Sequence, residues 1–211
     1  MTRSDLGAGT RRRFLALSGA SLLVAGCTDL LGQHPPPQLF LLSAPQRFDP
    51  DLPSVHWQLV VSEPVAAQSL DTARIALSRS PARLDYFADS AWTDRAPSVI
   101  QGLIIESFEN TGKIIAVGRF AGDLRADYVL QTELRSFEAH YDGGPEQPPK
   151  ILVRIEAKLV RMPDREIIGN TTWVQEAAPA RNDIDSIVAG FDEAQGSVLK
   201  RLVEWTLRLP R

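Results

Sequence analysis

Cysteine is almost missing from this chain. Among 211 residues only Cys27 is one, so no disulfide can close within the chain, and stability must come from a hydrophobic core. Histidine is nearly as sparse, and His34, His56 and His140 stand far apart. There is no HExxH, no CxxC and no histidine pair at ligand spacing, which argues against zinc. No GxSxG elbow, Walker loop or GxGxxG turn occurs, so nothing announces a serine hydrolase or a nucleotide site. Internal repeats and low-complexity tracts are absent too. The apolar run Phe14–Ala25 has 12 residues, short of the roughly 20 that a permanent spanning helix needs.

What is present begins at the N-terminus. Arg11-Arg12-Arg13 precedes that apolar run, and Val24-Ala25-Gly26-Cys27 ends it. A cationic segment, an apolar segment and small residues before a cut describe an export signal. The last four residues resemble the lipobox of bacterial lipoproteins. That likeness implies cleavage after Gly26, with a diacylglycerol thioether and an N-acyl chain on Cys27. Two or more acyl chains hold a protein firmly where one is marginal, at about 0.8 kcal/mol per buried CH₂. Thr10-Arg11-Arg12-Arg13-Phe14-Leu15 also resembles the twin-arginine export motif, centred on Arg11 and Arg12. A plain Sec signal with an Arg-rich start reads the same residues equally well.

The expected organisation is a signal over 1–26, a lipidated N-terminus and tether over 27–37, and one domain over 38–211. Pro35-Pro36-Pro37 favours extended polyproline geometry, a short stiff spacer expected to hold the domain off the bilayer. Residues 1–26 hold four Arg and one Asp, so 23 basic and 26 acidic residues become 19 and 25, a formal charge of −6. That balance disfavours nucleic acid as a partner. A hydrophobic fraction of 44% suffices for a core at this length.

Periodicity places the elements. Gln38–Ser43 is an apolar run bounded by proline and reads as a buried strand. Val55, Trp57, Leu59 and Val61 alternate as a second strand. Residues 65–72 read as a connection, Ile75 and Leu77 as a short strand, and Leu84–Phe87 as another after a turn at Ser80-Pro81. Pro97 suits a first helical turn. Val99, Ile100, Leu103, Ile104 and Phe108 follow at helical spacing up to Asn110-Thr111-Gly112, and Ile114–Val117 reads as a strand. In Asp127–Tyr141 the apolar phase runs through Tyr128, Leu130 and Leu134, then shifts to Phe137, Ala139 and Tyr141. One inserted residue flips every later side chain, so a bulge is expected near Ser136. Residues 142–149 form a hairpin loop, Ile151–Leu159 a strand, Met162–Arg165 a tight turn, and Glu166–Gln175 a third antiparallel strand. This meander should have one polar face. Asn182-Asp183 should cap a last helix of about 24 residues, whose stripe from Ile184 to Thr206 lies across the sheet. The fold class is α/β: one domain with a mixed, largely antiparallel sheet and two main helices packed on it.

No reactive constellation stands out. Asp183 and Asp185 look like a carboxylate pair, but capping and complementing the helix dipole explains them better. Trp57, Trp92, Trp173 and Trp205 are scattered, which suits core packing or partner anchoring. Glu106 and Glu109 are expected in solvent. No catalytic, metal-binding or cofactor-binding residue is assigned.

Several stretches together resemble the ABC-type transport auxiliary lipoprotein family. They are the lipobox at Cys27, the strand at Gln38–Ser43, and Leu84-Asp85-Tyr86-Phe87 leading to Trp92 and then Asp94-Arg95-Ala96-Pro97. Next come Asp127-Tyr128-Val129-Leu130 running to Leu134-Arg135-Ser136-Phe137-Glu138, and the final amphipathic helix. Tyr86-Phe87 stands where the family often has two tyrosines. The resemblance implies a non-enzymatic, periplasm-facing lipoprotein that serves lipid movement across the envelope. Its implied partners are an Mce-type lipid-binding protein, inner-membrane ABC transporter components, and further copies in a ring. A lipoprotein for outer-membrane assembly or envelope stress is the alternative. Thr28 follows Cys27 and Asp29 comes one place later, which favours the outer membrane over the inner. A Cys27→Ala protein should keep the folded domain and lose transport function. Normal function from a soluble, unlipidated form would sink the anchor assignment.

Overall fold

β-strand alternation in the second half of the chain builds the centre of the sheet. The structure, a computed structural model, describes residues 36–80, 82–119 and 126–209. Its elements are β1 (Gln38–Phe40), β2 (Val55–Val61), β3 (Val65–Ala66), β4 (Arg74–Ser80), β5 (Arg83–Trp92) and α1 (Ala96–Thr111). There follow β6 (Ile114–Gly118), β7 (Tyr128–His140), β8 (Lys150–Arg161), β9 (Glu166–Ala177) and α2 (Ile184–Arg208). Pro37–Arg211 forms one compact unit.

β7 runs through the middle. One edge pairs antiparallel with β8 along its whole length, and β8 pairs antiparallel with β9. The other edge is covered by three short strands in succession, all parallel to β7. Leu59–Val61 lie beside Tyr128–Leu130, Val65–Ala66 beside Glu133–Leu134, and Ala76–Ser78 beside Glu138–His140. β6 flanks β2 in parallel, β5 flanks β4 antiparallel, and β1 flanks β5 in parallel. The sheet is therefore mixed, and its long ladders are the antiparallel ones.

The phase shift in β7 has the expected cause. Leu134 pairs with Ile155 and Ser136 with Arg154, which leaves Arg135 as the extra residue. Leu130, Thr132 and Leu134 before the bulge are buried, and so are Phe137 and Ala139 after it. Without the insertion, Phe137 would face solvent.

Three boundaries differ from the pattern-based reading. The strand at Gln38–Ser43 stops at Phe40, because the Ser43 amide and hydroxyl donate to Asp192 at 2.6 Å each instead of joining a ladder. It is also an edge strand, with Phe40 inward while Leu39 and Leu41 are 60% and 76% exposed. Residues 65–72 are not only a connection, since β3 occupies the gap between β2 and β4. β5 continues past Phe87 to Trp92. Its pairing with β4 jumps between Tyr86 and Ala91 around Asp89, whose φ of 52° is left-handed. That irregularity breaks the alternation on which the reading relied.

Both helices cover one face of the sheet. α1 has Pro97 in its first turn and ends at Gly112 with φ 60°, a left-handed cap that glycine adopts without strain. Its Ile100, Ile104 and Phe108 are fully buried. α2 lies across β8 and β9. Its cap is Asp183, whose carboxylate accepts the Ser186 amide at 2.8 Å. Gly190 and Gly169 permit the close approach. A Cβ at Gly169 would sit 2.2 Å from Leu209, and one at Gly190 2.9 Å from Ile151.

Between β1 and β2 the chain forms a strap over the outside of both helices. Gln195 of α2 donates to the Ser43 carbonyl at 2.7 Å. Asn110 of α1 donates to the Pro45 carbonyl at 3.2 Å. Asp49 receives Arg208 and gives its amide to Glu204 at 2.9 Å. Ala44 and Leu52 are buried beneath the strap.

Trp92, Phe137 and Phe191 meet at the centre, with ring centroids 4.9 to 5.5 Å apart. Each comes from a different element, so the cluster joins β5, β7 and α2. Truncating such a residue costs transfer energy and leaves a cavity. Phe191→Ala should lower stability by about 3–5 kcal/mol, read as a lower urea midpoint at an unchanged slope. A loss below about 1 kcal/mol would show that the cluster is not a structural centre.

Candidate functional site

The open face of the β7–β8–β9 meander carries a charge network. Arg154, Glu156 and Lys158 alternate along β8 on the face opposite the helices. Glu156 stands in register between Glu133 on β7 and Thr172 on β9. Two carboxylates directly opposite each other repel. Arg135 resolves this: its guanidinium pairs with Glu156 and lies 3.4 Å from Glu133. Lys158 adds a contact to Glu156 at 3.2 Å. Glu156 is only 7% exposed, and a charge so buried must be paired. The bulge places the Arg135 side chain here. A cavity of about 160 Å³ adjoins the network, lined by Val65, Gln131, Glu133 and Lys158.

Arg95 forms a second polar clasp just before α1. It pairs with both Asp71 and Glu63, and the Asp71 hydrogen bond, then both carboxylate charges, hold its pKa above the ordinary value. A third joins the hairpin loop to α2. The Tyr141 hydroxyl donates to Asn182 at 2.9 Å, and Asn182 donates to the Pro145 carbonyl at 2.8 Å. Burial raises the Tyr141 pKa.

The residues singled out from sequence fall as follows. Cys27, Gly26, Arg11, Arg12 and His34 lie outside the described residues. Asp183 is a helix cap, and the Ser186 amide, then Arg181, lower its pKa below 3.8. Its support for α2 is thus present above pH 3.8 and fades as acid protonates the carboxylate. Asp185 sits exposed in the first turn. His56 is exposed, and His140 lies 3.1 Å from Glu138 at the end of β7. Trp92 is core, Trp57 packs edge-on to Tyr128 at 5.1 Å, and Trp173 packs edge-on to Trp205 at 5.4 Å. Glu106 and Glu109 are in solvent. These residues do not converge. Among the described residues no group of three His, Cys, Asp or Glu is placed to hold a metal, and no helix is long and apolar enough to cross a membrane.

Sequence reasoning missed the buried Glu156, the Arg95 clasp and the strap. The charged alternation of β8 signalled a polar face, but not that one member would be enclosed by its neighbours.

The surfaces on offer are edges and grooves. Among the described residues β9 pairs with β8 alone. No charged residue interrupts it between Glu166 and Glu176, so most of the usual protection of an edge strand is missing. Arg201 takes one edge carbonyl, that of Val174, at 3.1 Å. Beside this edge an open groove of about 390 Å³ is lined by Trp173, Trp205, Arg201 and Arg208.

The family model for the ABC-type transport auxiliary lipoprotein component matches residues 40–203. The chain belongs to this family. A Xanthomonas campestris protein of family DUF330, solved by crystallography, is 29% identical with a TM-score of 0.75, covering 81% of this chain and 94% of that one. Another crystal structure, of an uncharacterised protein, shares the fold at 11% identity and a TM-score of 0.63, covering 82% and 99%. An uncharacterised Bradyrhizobium diazoefficiens protein is 28% identical over 190 residues, which is 88% of this chain. The chain spans about half the length of that relative, 49%. The matched segment starts at Phe40 and ends at Val203, so it includes β2 to β9 and most of α2.

The Arg135 network makes a stability prediction. Arg135→Ala strips one partner from the buried Glu156 and should cost about 1–3 kcal/mol. Arg161→Ala removes only an exposed pair with Glu166 and Asp164 and should cost no more than about 1 kcal/mol. Equal losses in thermal or urea unfolding would contradict the network's asymmetry.

Proposed function

We propose that this family member is a lipid-anchored, non-enzymatic auxiliary component of an Mce/ABC-type lipid transport system in the bacterial envelope. The observation that carries this reading is the family match over residues 40–203. Cys27 serves as the anchor, and the domain faces the periplasm. The outer membrane is its site, because the residue after Cys27 is Thr28 and not Asp. The domain acts through its surfaces by docking an Mce-type lipid-binding protein, and through it the inner-membrane transporter. The uncharged stretch of β9 and the open face of the meander are the surfaces available for that docking. The chemistry required of such a component is adhesion and positioning, with no bond made or broken. No cofactor is involved beyond the acyl chains on Cys27.

A tagged copy purified from detergent-solubilised envelope should bring down an Mce-domain protein. Recovery of free monomer alone, under conditions that keep the transporter intact, would count decisively against the proposal.

A further inference from the structure

The two leucines that flank Phe40 have no place in the core. Leu39 and Leu41 alternate with the buried Phe40, and they are 60% and 76% exposed. β1 pairs only with β5 among the described residues. Beyond Leu41 the chain turns away at once, tied to α2 through Ser43 and Asp192. The leucines therefore project from the rim of the sheet, where the folded unit begins.

Their place in the chain says what they meet. Leu39 is twelve residues after Cys27. At no more than about 3.6 Å per residue, it stays within about 43 Å of that sulfur whatever path the chain takes. A domain of this size is roughly 40 Å across. β1 is thus the part of the folded unit closest along the chain to an acylated Cys27. An anchor also converts a weak contact into an intramolecular one, at effective concentrations in the millimolar range for short linkers. Two leucines that would not hold a free protein on a bilayer suffice to orient a tethered one.

We propose that Leu39 and Leu41 form an interfacial foot, inserting at the acyl–headgroup boundary of the bilayer that holds Cys27. This rests on the reading of Cys27 as the lipid-bearing residue. The foot would fix which way the domain faces, with β9 and the meander's open face left free for protein partners. The proline spacer then sets an orientation and does not keep the domain clear of the surface.

The test uses the full, processed protein in phosphatidylethanolamine/phosphatidylcholine vesicles without other proteins. Leu41→Cys and, as a solvent-facing control, Val174→Cys carry a nitroxide. The native protein reports the anchor itself, because a thioether at Cys27 leaves no thiol to label. The label at 41 should be at least threefold less accessible to an aqueous paramagnetic quencher than the label at 174, and more accessible to oxygen. In detergent-free solution, with Cys27→Ala made behind a cleavable non-lipoprotein signal so that neither acyl chain nor apolar signal remains, that difference should vanish. Equal quencher accessibility at 41 and 174 on vesicles would overturn the foot, and would indicate that these leucines await a protein partner. Labelling of the native protein would instead overturn the anchor reading beneath it. Leu39→Ser/Leu41→Ser checks the function of the foot: it should preserve the fold and membrane fractionation but widen the orientations seen by the label at 174.

Discussion

The extra residue in β7 is the constraint on which the rest of the structure depends. A thirteen-residue strand must serve a helix-covered core along its whole length, while three different strands in turn flank one of its sides. A regular pleat carries Leu130 and Leu134 inward and then carries Phe137 outward. Inserting Arg135 reverses the later half, so Phe137 turns in to meet Trp92 and Phe191. The same insertion sends a guanidinium to the opposite face, where it neutralises Glu156. One residue thus closes the core on one side of the sheet and makes a buried carboxylate tolerable on the other.

Much of this was legible beforehand because the governing signals are local. The bulge is written in the switch from Leu130 and Leu134 to Phe137 and Ala139. α2 is written in the stripe from Ile184 to Thr206, with Asp183 before it. In the parallel half of the sheet β2, β4 and β6 were legible as strands, but their pairing was not. β3 has two residues, and its existence depends on β7 presenting Glu133 and Leu134 beside it. β5 lost its alternation at Asp89, where a left-handed residue interrupts the pairing. Gln38–Ser43 reads as a buried strand because continuous apolar character does not reveal that one face is bare. Long-range side-chain bonds such as Arg95 to Asp71 and Glu63 have no periodicity at all.

The candidate site follows the same division. The proposed anchor is a linear signal, so Cys27 can be singled out from order and residue size alone. A docking surface is a property of what the fold leaves uncovered. It emerges only when β9 is seen to pair on one side and when the leucines of β1 are seen to lie outside the core.

The strap between β1 and β2 gives the molecule a defined load path. A protein fixed to a bilayer at one end and to a partner at the other is under tension whenever the two move apart. Tension entering through β1 meets only a three-residue ladder on β5, which shields little. It is then taken up at Ser43, where two hydrogen bonds to Asp192 and one from Gln195 pass it into α2, and at Pro45, where Asn110 passes it into α1. Such a force would pass into two helices that pack on β2, β6, β8 and β9. If the proposed anchor holds the domain through its first strand, the domain acts as a bracket whose strength lies in the layer behind that strand.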